Sequence, residues 1–463
     1  MYCCVPRVED RFDEVGAKYA VFVVHINGVL HCRVRYSQLH GLHELLRRVY
    51  GTREPPFPPK RLFALSDAQT EERRRQIEQY LQCISQDEEM SKSELVTSFL
   101  RKAQQDTWEV HEAQVEVHVV LPSGETSPVV IPNTSPTHSV LQAVGVAVGI
   151  PDDLLPNFGL FLGHAEGERQ LTLVRRLQEF ELPFVSVISS PIKGSCLFLR
   201  TSYLDRELDK FVMADAVGLK LLYQQAVADI KRGWCEVDAA QKQKLAELHK
   251  HGTFEEFLRV AQSLPQYGCV RLDKCECDWP EPDSRAAVRA GGGVLACRST
   301  RPGGQGTTEE GTFRVTRIRS WTVTSRILVS GEEGGGTEGG SGSVLELAFE
   351  YLVRPDTLRW IKLRTQQAIA LSLCLQTMVN EILQQRAGRD KEKMSSGAAS
   401  DSTQISVNGA KDPKVNGEHA LIRPAPSKHM DSSLGLSLRL PGIKKADNVH
   451  SNDAFEGIGE EDL

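Results

Sequence analysis

The sequence predicts a multidomain α+β protein. Its 463 residues are too many for one hydrophobic core and indicate two to four units. Segments of alternating apolar residues, which are typical of strands, are followed repeatedly by segments with the spacing of amphipathic helices. This periodicity stops beyond about Lys391, where Ser, Gly, Asp, Lys and Pro dominate. A disordered C-terminal tail is therefore expected to follow the folded units.

Residues 1–108 are predicted to form a three-stranded sheet with helices on one side. The stretch YAVFVVHINGVLHCRVRY contains two strands around Asn27-Gly28, a pair that favours a type I′ turn because both central residues need positive φ. Apolar residues at helical spacing follow and end at Gly51. After the proline-rich stretch EPPFPPKRLFALS, the segments DAQTEERRRQIEQYLQCISQ and SKSELVTSFLRKAQQ indicate two further helices.

Three further units follow along the chain. Residues 113–204 contain a hairpin with Ser123-Gly124 at its turn, then a helix and more strands, which is the order of a ubiquitin-like fold. Residues 205–266 show helical periodicity throughout. Residues 267–388 return to strands and end in one long amphipathic helix, an arrangement typical of a pleckstrin-homology-like sandwich.

Glycine-rich stretches interrupt this last unit at Gly291–Gly306 and Gly331–Gly342, and both are predicted to be mobile loops. Neither is followed by the Gly-Lys-Ser/Thr that a phosphate-binding P-loop requires. No set of residues has the pattern of a catalytic site, so a protein without enzymatic activity is expected.

Composition narrows the classes of function. A net charge of −6 argues against nucleic-acid binding and restricts phosphate contacts to a local basic patch. The 11 cysteines match no metal-ligand spacing, which predicts reduced thiols, no metal site and no cofactor. No run of about eighteen apolar residues is present, so any membrane contact is expected to be peripheral.

The final stretch SNDAFEGIGEEDL differs from the rest of the tail, residues 389–463. Phe455, Ile458 and Leu463 stand in an acidic background, a combination that is typical of segments that dock on a partner. A solvated chain end without a partner is an equally open interpretation of this stretch.

Three basic elements of the N-terminal unit are expected to converge. Arg35, Tyr36 and Ser37 stand where a strand meets a helix, Lys60 ends the proline-rich turn, and an arginine run from Arg73 opens the next helix. Solvated surface arginines are the plain alternative. The motifs RYSQL, PPFPPK and RRRQIEQYL, in this order, resemble the phox-homology (PX) domain, which binds phosphoinositides.

The resemblance implies a role for each of these residues. Arg35 would bind the 3-phosphate of phosphatidylinositol 3-phosphate, since a guanidinium matches phosphate oxygens bidentately. Tyr36 would stack beneath the inositol ring, and Ser37 would donate to the same phosphate. Lys60 would reach the 1-phosphate. Arg73 would bind the 4- and 5-hydroxyls; it is preferred to its neighbours because it precedes the apolar Ile77 by four residues.

Ubiquitin-like, helical and pleckstrin-like units in this order resemble a FERM module. Joined to a PX domain, and with the segments RRLQEFELPFVSV, FRVTRIRSWTVTS, LELAFEYL and QAIALSLCLQTMVNEIL, the chain resembles the PX-FERM sorting nexins. The third lobe would then be a phosphotyrosine-binding-like groove, in which an extended peptide adds a strand beside a helix. Trp321, Val379 and Leu383 would line this groove, although apolar helix positions such as the last two are also typical of a core.

The resemblance as a whole implies an endosomal sorting adaptor. It would bind phosphatidylinositol 3-phosphate membranes through the PX domain and NPxY or NxxY motifs through the FERM module, in receptor tails of the LDL-receptor, integrin beta or P-selectin type. Its C-terminus would bind a retrieval complex of the Retriever/CCC kind, so that cargo recycles instead of being degraded. A monomer that is cytoplasmic and peripheral on early and recycling endosomes is expected. The alternatives are a membrane-cytoskeleton scaffold and a small-GTPase effector.

Overall fold

The N-terminal unit of the computed structural model is an antiparallel sheet with helices packed against it. The structure describes residues 3–27, 29–61, 65–167, 170–302, 308–327, 343–398 and 449–456. The sheet has the order β1-β2-β3, and its elements are β1 (Cys3–Phe12), β2 (Lys18–Ile26), β3 (Val29–Arg35), α1 (Tyr36–Tyr50), α2 (Asp67–Gln86), α3 (Glu88–Lys92) and α4 (Glu94–Thr107).

Local chemistry accounts for where these elements begin and end. Asn27 has φ 48° at the turn between β2 and β3, as the predicted hairpin requires. The side chain of Ser66 accepts a hydrogen bond from the backbone N–H of Gln69, so α2 begins with a capped first turn. Helix α1 ends at Tyr50, and Gly51 takes φ 58°.

The second unit is a five-stranded sheet with the order β5-β4-β8-β6-β7. Its strand β4 runs parallel to β8, and all its other strand pairs are antiparallel. Its elements are β4 (Gln114–Val120), β5 (Thr126–Pro132), α5 (Thr137–Val148), β6 (Phe158–Glu166), β7 (Gln170–Arg176), α6 (Pro183–Ile188) and β8 (Cys196–Thr201). A helical unit follows with α7 (Asp209–Val212), α8 (Ala216–Lys231), α9 (Ala239–His251) and α10 (Phe254–Gln262).

The last unit, which is the third lobe of the expected FERM module, is a large antiparallel sheet closed by the long helix α11. The sheet has the order β13-β12-β11-β10-β16-β15-β14-β17, and β9 pairs with β11. The elements are β9 (Val270–Arg271), β10 (Cys275–Cys277), β11 (Ser284–Gly291), β12 (Val294–Thr300), β13 (Thr308–Arg314), β14 (Ile318–Ile327), β15 (Ser343–Arg354), β16 (Thr357–Arg364), α11 (Ala368–Ala398) and β17 (Val449–Ser451).

Two expectations about irregular segments need correction in this lobe. The first glycine-rich stretch is not a loop throughout, because β11 and β12 form a hairpin whose turn residues Gly292 and Gly293 have φ 58° and 75°. The stretch 331–342 lies outside the described residues. The C-terminal tail is not irregular throughout either, because residues 449–451 form β17 and pair with β14.

The N-terminal unit packs directly against the second unit. By their contacts, residues 1–383 and 447–463 form one compact body, and residues 384–446 form a second body. Within the first, Phe180 of the second unit is buried in the hydrophobic core of the N-terminal unit and meets the ring of His31 edge-on, with centroids 5.6 Å apart. Gln104 of α4 also accepts a hydrogen bond from the backbone N–H of Leu182 over 2.9 Å. A shared core and a buried hydrogen bond therefore join the two units.

Candidate functional site

The predicted basic corner forms where β3 ends and α1 begins. Arg35 is the last residue of β3, and its backbone N–H donates to the side-chain oxygen of Gln38 over 2.8 Å, which fixes the entry into α1. Its guanidinium carbon lies 3.4 Å from the ring centroid of Tyr19, a cation–π contact with the neighbouring strand. Arg35 is otherwise exposed to solvent, and its charge is available to an anion.

Tyr36 and Arg73 hold the proline-rich segment against this corner. The hydroxyl of Tyr36 donates to the carbonyl of Pro58 over 2.8 Å, and the guanidinium of Arg73 donates to the carbonyl of Pro59 over 3.1 Å. The guanidinium carbon of Arg73 lies 4.4 Å from the ring centroid of Tyr36. Tyr36, the proline-rich segment and Arg73 are thus in contact although they are distant in sequence, and their role in lipid binding stays a prediction.

The structure distinguishes Arg73 from the arginine that follows it. Arg74 turns away toward the sheet, where it pairs with Glu71 and Glu78 and donates to the carbonyl of Val5. Arg73 instead faces an opening beside the proline-rich segment. Partial burial lowers the pKa of its guanidinium, and the charge of Arg61 nearby acts in the same direction. An anion in the opening would relieve this cost.

Ser37 and Lys60, the remaining predicted lipid contacts, are both exposed at the surface. Ser37 stands in the first turn of α1 and Lys60 at the end of the proline-rich segment. In the apolar stretch that follows, Leu65 is half-buried, and residues 62–64 lie outside the described residues.

The opening is a solvent-connected pocket of about 610 Å³. Of the five predicted lipid contacts, Arg73 lines this pocket, whereas Arg35, Tyr36, Ser37 and Lys60 do not. The other lining residues on α2 were not identified from the sequence. The spacing i, i+3, i+4, i+7 along α2 could have found them, because residues so spaced share one face of a helix. The lining residues are Pro58, Pro59, Arg61, Ala68, Gln69, Glu72, Arg73 and Gln76.

An aromatic cluster packs around Phe57 in the proline-rich segment 55–59, which we call the proline-rich wall because Pro58 and Pro59 line the pocket. Phe57 stacks on His43 with centroids 4.8 Å apart and meets Tyr80 edge-on at 4.8 Å. Glu54 accepts a hydrogen bond from the Tyr80 hydroxyl and pairs with His43. Because the ring of Phe57 is held on several sides, the wall is rigid before any ligand arrives.

The second predicted site lies in the third lobe, where the surface expected to bind cargo is covered in this structure. Trp321 is fully buried, and its indole N–H donates to the hydroxyl of Ser372 on α11 over 3.0 Å. Val379 is buried in the same core, and Leu383 is partly buried against it. The two helix positions therefore serve the core, which is the alternative that their apolar spacing left open.

The C-terminal segment of the chain itself covers this surface. Strand β17 adds to the edge of β14 in antiparallel register, with His450 opposite Trp321. Their rings stack with centroids 5.2 Å apart and planes at 13°. Burial lowers the pKa of His450 to about 4, so its imidazole is neutral in this position at pH 7.

A turn at Asn452 continues this contact. The Asn452 side-chain amide donates to the carbonyls of Val315 and Ile318, over 2.8 and 2.6 Å. Its side-chain oxygen accepts from the N–H of Ala454 over 2.9 Å, and its backbone carbonyl accepts from the N–H of Phe455 over 3.0 Å. The sequence Asn-x-x-Phe thus follows an added strand as a turn that is locked by its asparagine.

The predicted retrieval motif is only partly described by the structure. Phe455 is half-buried at the end of this turn, and the N–H of Glu456 donates to the carbonyl of Thr316 over 2.6 Å. Ile458 and Leu463 lie outside the described residues. The assignment of this motif to a retrieval complex therefore remains a prediction.

Two other kinds of site are absent from the part of the chain that the structure describes. Among the described residues, no group of three or more His, Cys, Asp or Glu side chains is placed to hold a metal ion. Across the same part of the chain, no helix combines the length and the apolar character needed to cross a bilayer.

Comparison with family models agrees with the order of these units. Residues 22–103 match the PX domain, and residues 115–204 match the FERM domain F1 lobe of sorting nexins 17, 27 and 31. Residues 205–265 match the FERM domain F2 lobe of sorting nexins 17 and 31. Residues 268–383 match the sorting nexin 17 FERM C-terminal domain. The predicted PX and FERM architecture is thereby confirmed.

Full-length relatives give the same result. The chain is 43% identical to sorting nexin-17 of Bos taurus over 479 residues and 42% identical to that of Homo sapiens over 476, covering 100% of both chains in each case. It is 36% identical to sorting nexin-31 of Homo sapiens over 392 residues, which covers 85% of this chain and 88% of the relative. The chain therefore belongs to the PX-FERM sorting nexins, and within them to the sorting nexin-17 family.

Proposed function

We propose that this protein is an endosomal sorting adaptor that reads a membrane lipid and a receptor-tail peptide at the same time. The lipid is phosphatidylinositol 3-phosphate, and the peptide carries an Asn-Pro-x-Tyr or Asn-x-x-Tyr motif. The adaptor directs the receptor to recycling through a retrieval complex that binds the C-terminus, in place of degradation.

The observation that carries the proposal is the C-terminal segment seated on β14. An extended strand followed by an Asn-x-x-aromatic turn is the shape that an Asn-Pro-x-Tyr peptide presents, and residues 449–456 take that shape here. A surface that accepts Asn452 and Phe455 of its own chain has the backbone edge and the carbonyl acceptors that a receptor peptide needs. Receptor peptides and the C-terminal segment would therefore compete for one site.

The lipid half of the proposal rests on the pocket between the proline-rich segment and α2, together with the exposed corner at Arg35. Arg73 lines the pocket and lies over the ring of Tyr36, the residue that follows Arg35. A bidentate guanidinium suits a phosphate better than a lysine does. The preformed wall keeps the ordering cost of binding low. Each site alone can be weak, because lipid binding raises the effective concentration of a receptor tail beside the third lobe.

Displacement of the C-terminal segment would also link cargo binding to binding of the retrieval complex. Phe455 is held in the turn on the third lobe, and cargo binding would free it together with the residues that follow it. A retrieval complex that needs Phe455, Ile458 and Leu463 would then bind preferentially to the cargo-loaded adaptor.

Vesicle flotation tests the lipid half. The intact chain is expected to float with vesicles that contain phosphatidylinositol 3-phosphate, and Arg35→Ala is expected to stay in solution while its peptide affinity is unchanged. Arg48→Ala is the matched control and should float normally, because Arg48 is an exposed arginine of α1, the helix that follows Arg35. Flotation of the Arg35 variant together with its control would remove the pocket from the proposal.

Calorimetry with an Asn-Pro-x-Tyr peptide tests the peptide half. A chain that ends before residue 447 is expected to bind the peptide more tightly than the intact chain, because the competing segment is gone. The same peptide with its Asn replaced by Ala should bind to neither. Absence of binding to the shortened chain would refute the groove assignment.

A further inference from the structure

Glu72 places a carboxylate in the pocket between the proline-rich segment and α2, whose cationic lining residues are Arg61 and Arg73. It precedes Arg73 on α2 and lines the pocket together with Gln69 and Gln76. Its carboxylate accepts a hydrogen bond from the Gln76 amide over 3.2 Å and lies 3.5 Å from the guanidinium of Arg75. The side chain is still 57% exposed, so its oxygens can accept further donors.

A carboxylate and a guanidinium side by side distinguish a hydroxyl from a phosphate. A sugar hydroxyl can donate to the carboxylate and accept from the guanidinium, so it satisfies both groups. A phosphate at the same position can only accept, and its negative charge repels the carboxylate at short range. The carboxylate therefore rejects the wrong ligand by repulsion, in addition to the attraction that the arginines exert on the right one.

We propose that Glu72 is a specificity-determining residue of the lipid pocket, which accepts hydrogen bonds from the free inositol hydroxyls beside Arg73 and excludes headgroups that carry a second phosphate there. The inference rests on the proposed function, because it presumes that the pocket binds an inositol headgroup with its 3-phosphate toward Arg35. Selection against a second phosphate then comes from the negative charge of Glu72. The size of Arg73 alone would admit any anion that fits the pocket.

The preceding residue offers a matched comparison. Glu71 carries the same charge on the same turn of α2, but its carboxylate pairs with Arg74 and Arg75 and does not line the pocket. Replacing either glutamate with glutamine removes one negative charge from this part of the helix. Only Glu72→Gln removes it from the pocket, and the glutamine oxygen can still accept a hydrogen bond from a hydroxyl.

The test measures binding of the intact chain to vesicles that contain phosphatidylinositol 3-phosphate, its 3,4-bisphosphate or its 3,5-bisphosphate in a neutral lipid background. Glu72→Gln is expected to keep its affinity for the monophosphate within about twofold and to gain about tenfold, or about 1.4 kcal/mol, for a bisphosphate. Glu71→Gln is expected to keep the preference of the unaltered chain for the monophosphate.

Each outcome has one meaning. An unchanged ratio of monophosphate to bisphosphate binding in Glu72→Gln would overturn this inference while the proposed function stands. An equal gain in both glutamine variants would also overturn it, because the effect would then reflect general charge. If the unaltered chain ignores the monophosphate vesicles, the proposed function fails first. Thermal melting of both variants checks that they fold equally.

Discussion

Asn452→Ala is the substitution that tests most directly how the C-terminal segment is held. The buried side chain of Asn452 makes three hydrogen bonds, two to the carbonyls of Val315 and Ile318 and one from the N–H of Ala454. Alanine makes none of them and leaves polar backbone groups without these partners. The residue belongs to no part of the lipid pocket or of the sheet edge that a receptor peptide would occupy.

The expected magnitude follows from these hydrogen bonds. Each contributes about 0.5 to 1.5 kcal/mol net, so the three together stabilise the docked segment by about 2 to 4 kcal/mol. The apparent affinity of a competing peptide is reduced by the fraction of molecules whose groove is open. Weakening the docked state by this amount should raise the peptide affinity of the intact chain by about 30-fold to about 800-fold, up to the value of the chain without the segment.

Calorimetry with one Asn-Pro-x-Tyr peptide and the intact chain measures this change. Asp453→Ala is the matched control, because Asp453 is exposed in the same turn and its substitution should leave the affinity unchanged. Equal peptide affinities for the Asn452 variant and the unaltered chain would show that the segment and the peptide do not compete. Equal gains for both variants would show that the asparagine contacts are not what holds the segment.

Three further predictions concern burial. Trp321→Ala should lower the free energy of unfolding by about 3 to 5 kcal/mol, since it removes a fully buried indole. Loss of peptide binding at unchanged denaturant stability would instead assign Trp321 to the peptide site alone. Acidification from pH 7.5 to 5.5 should weaken docking of the C-terminal segment by about tenfold. The reason is that docking lowers the pKa of His450 from its ordinary 6.5 to about 4. The stabilisation is therefore complete above pH 6.5 and is lost as the pH falls toward 4. Peptide affinity followed against pH should therefore rise on acidification, and His450→Gln should flatten the profile. Phe180→Ala should destabilise the joined N-terminal and second units by about 3 to 5 kcal/mol in chemical denaturation, and a normal midpoint would show that the two units do not share a core.

The local structure around the proposed lipid site was largely predictable because its parts are short local motifs. Arg35 and Tyr36 are placed by the end of a strand and the start of a helix, and both boundaries follow from local periodicity and capping. The choice between Arg73 and Arg74 was harder. Spacing favoured the first, but only the fold shows the second bound to the carbonyl of Val5.

The peptide site was less predictable because its parts are distant in sequence. Trp321 has the alternating neighbours of a strand, and nothing local shows that Ser372 receives its indole N–H or that His450 covers its ring. The C-terminal segment, taken alone, has the composition of a disordered tail. Its order comes from hydrogen bonds that exist only once β14 is in place.

By itself, the sequence determined the order of the units and the helices and hairpins within them. These features depend on neighbouring residues, whose conformational preferences act whatever the rest of the chain does. Tertiary structure decided that the N-terminal and second units share a core and that residues 449–456 occupy the edge of β14. Such contacts join residues far apart in the chain, and burial and hydrogen bonding select them only when the whole fold forms.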